Sequence, residues 1–271
     1  MFQLRSVTTL ELPELAPYRT MRRPTPQLGE RIFVAEGDKV VRRLLESDFP
    51  VVSALFLEKW IGEFAALLEA RPENIPVYVT SKECMAEIIG FEMYQGALAV
   101  GQFPAPIPLE TWFERSTRPL LFVALEELNN ADNLGVVFRN CAAFGVQLLI
   151  LGETCSTPYM RRTVRNSMGT IFKQPLVESG NLIETLRQLR RRGVRCIAAH
   201  GPAQRITLSH CDLTQDTCIV LGNEGLGLSP EVLAVCDEQV AIPMANAVDS
   251  LNLANAAAVF LYEARRQRGL T

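Results

Sequence analysis

The chain has 271 residues, enough for two domains, and its hydrophobic fraction of 48% is ordinary for globular domains with packed cores. The net charge of −3 excludes a globally basic protein, so any contact with nucleic acid depends on local clusters of positive charge. No apolar run approaches the ~18 residues that a bilayer requires. The N-terminal sequence also lacks the apolar core of a signal peptide, and we expect a cytoplasmic protein.

Seven cysteines are scattered along the chain without a CxxC pair. An odd number at irregular spacings argues against both a disulfide framework and a zinc site. We therefore expect buried free thiols and no bound metal ion.

The N-terminal part, residues 1–101, alternates between helical and β-rich patterns, which is typical of a small α/β domain. Residues 38–47 have the spacing of a helix. Strands are predicted over residues 51–57, 77–80 and 96–100. Prolines at positions 104, 106 and 108 favour an extended connection, so we expect a linker over residues 102–119.

Residues 120–271 alternate more regularly between strands and helices. The apolar run 120–125 predicts a strand buried on both faces, followed by a helix over 134–144 that ends at Gly145. Further strands are predicted over residues 146–151, 194–199, 218–221 and 240–242. Further helices are predicted over residues 182–192, from Pro230 after the N-cap Ser229, and over 251–268. This alternation implies a mostly parallel sheet.

The first segment that carries chemistry is residues 129–145, NNADNLGVVFRNCAAFG, directly after a buried strand. Ligand sites in open α/β sheets lie where parallel strands end. Asn133 belongs to a polar turn there, and Gly135 permits a close approach of the backbone. Arg139 follows within an apolar helix, where it is either functional or an exposed position on an amphipathic helix.

The second segment, GNEGLGLS over residues 222–229, contains three glycines between a strand and a helix. Its order, GxxGxG, differs from the GxGxxG of dinucleotide folds, and no lysine follows as in a P-loop. Glu224 would repel a phosphate and is better suited to binding a hydroxyl or an amine. A tight turn without a ligand is the alternative interpretation.

The third segment, ANAVDSLNLAN over residues 245–255, leads into the final predicted helix. Ser250 is the predicted N-cap of that helix. Asn252 and Asn255 would then lie one turn apart on a single face. Asparagine is unfavourable inside a helix, so we expect a packing or binding reason for these two residues.

Two clusters of basic residues could contact nucleic acid. Between Glu153 and Glu178 there is no acidic residue, and this stretch contains Arg161, Arg162, Arg165 and Lys173. Near the N-terminus the second cluster contains Arg19, Arg22 and Arg23. Each cluster could equally be a solvated face.

In this order and spacing, NLGVVFRNCAAFGV, IVLGNEGLGLS and IPM with SLNLANAAAVFLYE resemble the three motifs of the SpoU/TrmH family of RNA 2′-O-ribose methyltransferases, in the SPOUT superfamily. The resemblance covers residues 120–268. It implies an α/β, SPOUT-type, mostly parallel sheet with a C-terminal trefoil knot, and a homodimer with active sites shared across the interface. The N-terminal residues are similar, more loosely, to the small α/β substrate-binding domain of longer members.

The resemblance also implies roles for individual residues. The catalytic set is Arg139 with Asn133, Glu224, Ser250 and Asn252. S-adenosylmethionine would bind at Gly222, Ile242 and Leu251, largely through backbone groups. A guanidinium holds its proton above about pH 12, so we expect Arg139 to clamp an RNA phosphate and orient the ribose rather than act as a base. Asn130 and Ala131 stand where the family often has Asp-Pro, and Ala254 replaces the last serine of the third motif.

The leading hypothesis is methyl transfer from S-adenosylmethionine to a ribose 2′-hydroxyl in structured RNA, with rRNA favoured over tRNA because of the additional N-terminal domain. Contacts to the RNA backbone are predicted for Arg161, Arg162, Arg165, Arg22 and Arg23. The alternative is a non-catalytic RNA-binding or ribosome-assembly protein that retains the fold. A nucleotide-dependent oxidoreductase is disfavoured by the glycine order. His200 and His210 lie outside the motifs and receive no catalytic role.

Overall fold

The computed structural model describes residues 2–9, 11–22, 25–89, 96–201, 206–246 and 249–269. Its contacts divide the chain into two compact units. The first unit comprises residues 1–105 and 157–173, and the second comprises residues 106–156 and 174–271. None of the helices in the described ranges has the length and hydropathy needed to span a bilayer.

The first unit is built on a five-stranded mixed sheet in the order β1–β4–β3–β5–β2. Its first elements are β1 (Gln3–Ser6), α1 (Ala16–Arg19), α2 (Thr25–Gly29), β2 (Ile32–Glu36), α3 (Asp38–Leu45), β3 (Val51–Leu57), α4 (Lys59–Glu69), β4 (Pro76–Thr80), α5 (Lys82–Ile89) and β5 (Ala97–Gln102). Strands β1, β3 and β4 pair in parallel, whereas β5 is antiparallel to both β3 and β2. The predicted small α/β domain is therefore present.

The second unit contains a seven-stranded sheet in the order β10–β12–β9–β11–β6–β7–β8, and all its neighbouring strands are parallel. The elements that follow β5 are α6 (Leu109–Arg115), β6 (Leu121–Leu125), α7 (Ala131–Ala143), β7 (Leu148–Leu151), α8 (Arg161–Asn166, in the first unit), β8 (Leu176–Glu178), α9 (Leu182–Arg191), β9 (Arg195–Ala199), β10 (Ile206–Thr207), β11 (Thr217–Leu221), α10 (Pro230–Val235), β12 (Glu238–Ala241) and α11 (Leu253–Gln267). The predicted α/β architecture with a mostly parallel sheet is confirmed, while the trefoil knot stays a prediction.

Residues 157–173 pack with the first unit although the sequence pattern had assigned them to the C-terminal domain. The reason is an aromatic cluster around Phe33 of β2. The Phe33 ring stacks on Tyr159 and Phe172, with centroid distances of 5.7 and 5.6 Å, and Phe103 lies 4.3 Å from Tyr159. Arg161 of α8 also donates to the Glu36 carboxylate at 2.6 Å. These contacts join residues that are far apart in sequence, so local sequence patterns could not predict them.

Two local predictions were wrong. The predicted linker contains α6, which begins after Pro108 and buries Leu109 against the core of the second unit. The final helix begins at Leu253 rather than 251, and its N-cap is Asn252, whose side chain accepts from the Ala254 amide at 3.0 Å. Ser250 is therefore not the cap, and Asn252 and Asn255 do not share a helical face. Asn252 has a second hydrogen bond, described below, that favours its position at the cap.

Candidate active site

The three chemistry-bearing segments meet at the carboxyl edge of the sheet of the second unit. Strands β6, β11 and β12 run in parallel, so the loops that follow them emerge at the same edge. From β6 the chain proceeds through β7 to β8 on one side, whereas β11, β9 and β12 lie on the other. The site therefore lies at the point where the strand order reverses, which is where open α/β sheets bind ligands.

A chain of side-chain hydrogen bonds connects the three segments. Asn133, in the first turn of α7, donates from Nδ2 to Glu224 Oε1 at 2.5 Å. Asn252, before α11, donates from Nδ2 to Asn133 Oδ1 at 3.1 Å. We call Asn133, Glu224 and Asn252 the polar triad. Within the part of the chain that the structure describes, no cation pairs with Glu224, so its second carboxylate oxygen can accept a hydrogen bond from a ligand.

The loop between β11 and α10 is held in a tight turn by its own hydrogen bonds. Asn223 and Gly227 exchange backbone hydrogen bonds of 3.0 and 2.9 Å, and the Asn223 side chain accepts from the amides of Gly225 and Leu226. A Cβ on Gly222 would lie 2.3 Å from the Gly227 carbonyl oxygen. Close backbone approach therefore requires glycine at position 222, and the segment forms a tight turn; whether this turn binds a ligand stays a prediction.

Two positioning residues of this edge were missed by sequence reasoning. The Glu126 carboxylate, after β6, accepts from both the backbone amide and the hydroxyl of Ser229, at 2.8 and 2.6 Å, and fixes the end of the glycine loop. Asn140 donates to the Ala254 carbonyl oxygen at 2.7 Å and so joins α7 to α11. Asn140 is seven positions after Asn133, hence on the same helical face, and that spacing was a usable signal.

The loops also present what a nucleoside cofactor requires. Ile242 is half-buried, and Leu251 and Met244 of the same loop are each more than a third exposed, as is Leu226 of the glycine loop. Large apolar side chains exposed on two of the motif loops suit the adenosine part of S-adenosylmethionine. The binding of the cofactor by Gly222, Ile242 and Leu251 stays a prediction.

Arg139 is not part of the polar triad. It lies on α7 six positions after Asn133, which is about 9 Å further along the helix axis and a third of a turn around it. Its side chain is exposed and makes no hydrogen bond or ion pair with the described residues of its own chain. Ser250 is likewise exposed. The roles of Arg139 and Ser250 therefore stay predictions.

The basic residues predicted to contact RNA differ in their ion pairs and in their exposure. Arg161 and Arg165 both pair with Glu36, which is only 3% exposed, at 2.6 and 3.2 Å. Arg161 is itself mostly buried, so its guanidinium neutralises an internal carboxylate of the first unit. Arg162, Arg165 and Arg22 are exposed, and Arg23 lies outside the described residues. Contacts from these residues to RNA stay a prediction.

The seven cysteines are free thiols, of which Cys141, Cys196, Cys211 and Cys218 are buried. Burial raises the pKa of the Cys211 thiol to about 11, with a further contribution from the carboxylate of Glu238. Among the described residues, no group of three His, Cys, Asp or Glu side chains is placed to hold a metal ion.

The comparisons with known proteins agree with this geometry. The SpoU rRNA Methylase family matches residues 120–262. A protein of Mycobacterium tuberculosis named an uncharacterised tRNA/rRNA methyltransferase is 32% identical over 94% of this chain and 89% of its own. The AdoMet-bound rRNA methyltransferase from Sinorhizobium meliloti superimposes with a TM-score of 0.85 at 27% identity, covering 97% of this chain and 98% of its own. 

The SpoU methyltransferase AviRb from Streptomyces viridochromogenes, in complex with AdoMet, gives a TM-score of 0.80 at 25% identity, over 95% of this chain and 98% of its own. The match to the family model covers more than half of the chain and includes all three segments of the site. The chain therefore belongs to the SpoU family of RNA methyltransferases, and its cofactor is S-adenosylmethionine.

Proposed function

We propose that the protein methylates a ribose 2′-hydroxyl in structured RNA, that this RNA is rRNA rather than tRNA, and that the enzyme acts as a cytoplasmic homodimer. The polar triad is the observation that carries this proposal. It joins one residue from each motif and leaves a carboxylate oxygen of Glu224 available to a hydroxyl group. The 2′-hydroxyl is the group that distinguishes RNA from DNA, so this chemistry is specific for RNA.

Each residue of the site has a task in this proposal. S-adenosylmethionine supplies the activated methyl group, and Gly222, Ile242 and Leu251 would hold it through backbone groups. Glu224 accepts a hydrogen bond from the ribose hydroxyl, which is a weak acid, and takes its proton as the hydroxyl oxygen bonds to the methyl group and the methyl–sulfur bond breaks. Asn133 fixes the carboxylate through its bond to Oε1. Arg139 clamps an adjacent phosphate, since guanidinium binds phosphate oxygens in a bidentate manner.

The dimer is supported by an exposed apolar face on α7 and α11, which pack together. Val259 and Tyr262 lie on one face of α11, 38% and 60% exposed, and the Tyr262 ring contacts Phe144 edge-on at 6.5 Å. Arg139 emerges from the same helix pair. A partner seated on this face would bury the apolar side chains and receive Arg139, which accounts for its having no partner among the described residues of its own chain.

The preference for rRNA is supported by the first unit, which lies largely outside the family match. The Sinorhizobium protein, described as an rRNA methyltransferase, covers nearly the whole chain, first unit included. The first unit offers a large folded RNA contacts in addition to those of the second unit. Arg22, Arg162 and Arg165 of that unit are exposed and are the proposed backbone contacts.

The direct test is methyl transfer in vitro. The protein is incubated with methyl-labelled S-adenosylmethionine and, separately, with unmodified rRNA and tRNA, and the methylated atoms are mapped by alkaline hydrolysis and mass spectrometry. We expect 2′-O-methyl groups in rRNA, and a large loss of kcat in Arg139→Ala and Glu224→Gln. Arg42→Ala, an exposed arginine paired with Glu63, is the control. Methyl groups found only on bases, or only in tRNA, would contradict the corresponding part of the proposal.

The shared site has its own test. Arg139→Ala and Glu224→Gln are mixed and allowed to exchange subunits. If Arg139 serves the partner's polar triad, each mixed dimer has one complete site, and random exchange restores about a quarter of the wild-type activity. If Arg139 serves its own chain, the mixture stays as inactive as either variant. Light scattering establishes whether the wild type is a dimer.

A further inference from the structure

A second charged feature lies at the opposite edge of the sheet of the second unit. There, the end of α9 and the start of β9 surround a cavity of about 460 Å³. Its walls include Arg187, Arg190, Arg191, Arg195 and Asp237. We call this the arginine cavity. Because the motif loops follow the carboxyl ends of the strands and this cavity adjoins the amino end of β9, it is separate from the polar triad.

The cavity carries an excess of positive charge. Four arginines line it, and three carboxylates pair with them, those of Glu184, Asp237 and Glu238. Two of these arginines pair with acidic residues at the start of β12, Asp237 just before the strand and Glu238 in it. Arg190 contacts Asp237 Oδ1 through Nε and Nη2 at 2.8 and 2.7 Å, and Arg195 pairs with Glu238 while donating to the Asp212 carbonyl oxygen at 2.8 Å. These two guanidinium groups form a fixed wall of the cavity.

The remaining two of the four arginines that line the cavity, Arg187 and Arg191, can also bind an external anion. Arg187 and Arg191 are 55% and 61% exposed and share one carboxylate, that of Glu184. Arg191 approaches it at 2.6 Å, but Arg187 only at 3.8 Å, which is an ion-pair distance without a hydrogen bond. One carboxylate cannot neutralise both guanidinium groups, so positive charge and most of their N–H donors remain directed to solvent.

Helix stability does not account for this arrangement. A cation in the last turn of a helix gains about 0.3–1 kcal/mol from the helix dipole, which explains a preference for one or two basic residues at the end of α9. It does not explain why Arg195, from the following strand, lines the same cavity. Arginines gathered from two elements around one cavity are the arrangement that binds phosphate, because each planar guanidinium offers paired donors.

We propose that the arginine cavity binds phosphate groups of an RNA backbone, as a docking site distinct from the one that receives the target ribose. Arg187 and Arg191 are four positions apart, so their side chains emerge side by side, about 5–6 Å apart at Cβ, and can grip successive phosphates. Large folded RNA, the proposed substrate, reaches both edges of the sheet. The identity of the ligand as RNA rests on the proposed function, whereas the binding of phosphate rests on the cavity alone.

The test measures RNA binding without methyl transfer. Anisotropy of a fluorescently labelled rRNA fragment is titrated with the full-length protein at several salt concentrations, for wild type and for Arg187→Gln/Arg191→Gln. We expect weaker binding and a salt dependence whose slope falls by about 2, since two phosphate contacts are lost. Arg42→Gln, which removes one exposed arginine paired with Glu63, is the control for the loss of a surface charge. Glu184→Gln should tighten binding, because it releases both arginines.

The outcomes separate the sources of phosphate and the two proposals. Unchanged affinity and slope in the double variant, or an equal loss in Arg42→Gln, would overturn the docking site. In parallel, the binding of tripolyphosphate is measured by calorimetry. If the double variant loses tripolyphosphate binding but keeps its affinity for RNA, the cavity binds free phosphate compounds, and RNA is overturned as the ligand. Methyl transfer is assayed separately on a short substrate. Loss of RNA affinity with intact transfer supports the docking site, and absent transfer in wild type contradicts the proposed function alone.

Discussion

Replacing Gly222 by alanine should weaken cofactor binding while the rest of the second unit remains folded. The added Cβ would lie 2.3 Å from the Gly227 carbonyl oxygen, 2.4 Å from its carbon and 2.5 Å from the Leu228 nitrogen. All three are backbone atoms, so no side-chain rotation relieves the overlap. The loop must open, and the two backbone hydrogen bonds between Asn223 and Gly227 are lost.

The size of the effect follows from those two bonds. At about 0.5–1.5 kcal/mol each, their loss costs about 1–3 kcal/mol of the free energy that holds the loop in its binding conformation. Since 1.4 kcal/mol corresponds to a factor of ten in a dissociation constant, the affinity for S-adenosylmethionine should fall by about 5- to 150-fold.

Gly225→Ala provides the matched control in the same loop. A Cβ there meets only Asn223 Oδ1, at an ordinary 3.5 Å. Both substitutions restrict the unfolded chain in the same way. The difference between their affinities for S-adenosylmethionine therefore reports the effect on the folded loop. Isothermal titration calorimetry measures the affinities, and thermal unfolding verifies that each variant folds. Wild-type affinity in Gly222→Ala, or equal weakening in both variants, would refute the reasoning.

Two further predictions concern stability, measured by urea unfolding. Arg268→Ala should destabilise the protein by about 2–4 kcal/mol, because its guanidinium donates to four backbone carbonyl groups. Arg266→Ala should have the smaller effect, because its ion pair with Glu263 lies at the surface. Equal effects would contradict this role for Arg268. Arg161→Ala should cost about 1.5–3 kcal/mol, and more than Arg165→Ala, because the buried Glu36 would keep only its longer pairing with the more exposed Arg165. A stable Arg161→Ala with weakened RNA binding would instead support the predicted RNA contact.

The strands and helices of the second unit were predictable because their patterns are local. The continuous apolar run that became β6 and the glycine after α7 each indicated structure without reference to distant residues. Strand β8 has only three residues, too few for a pattern to register. The start of α11 was misplaced because Ser250 and Asn252 are both good caps, and the choice depends on the bond from Asn252 to Asn133.

The candidate site was predictable in its residues but not in its geometry. The motifs identified Asn133, Glu224 and Asn252, and the structure joins them in one network. Helical spacing from Asn133 already indicates that Arg139 lies a third of a turn away from that network, a signal that the motif comparison did not use. The pairing of Arg161 with Glu36 was also unforeseen, since it joins positions 125 residues apart.

The aromatic cluster of the first unit has a consequence for the order in which the protein is made. During synthesis, residues 1–105 leave the ribosome well before Tyr159 and Phe172, which cover the Phe33 ring. The first unit therefore cannot complete its core until β6 and β7 of the second have been translated. An N-terminal domain usually folds first as the chain emerges. Here the nascent first unit exposes an unfinished apolar surface to chaperones until residue 173 appears.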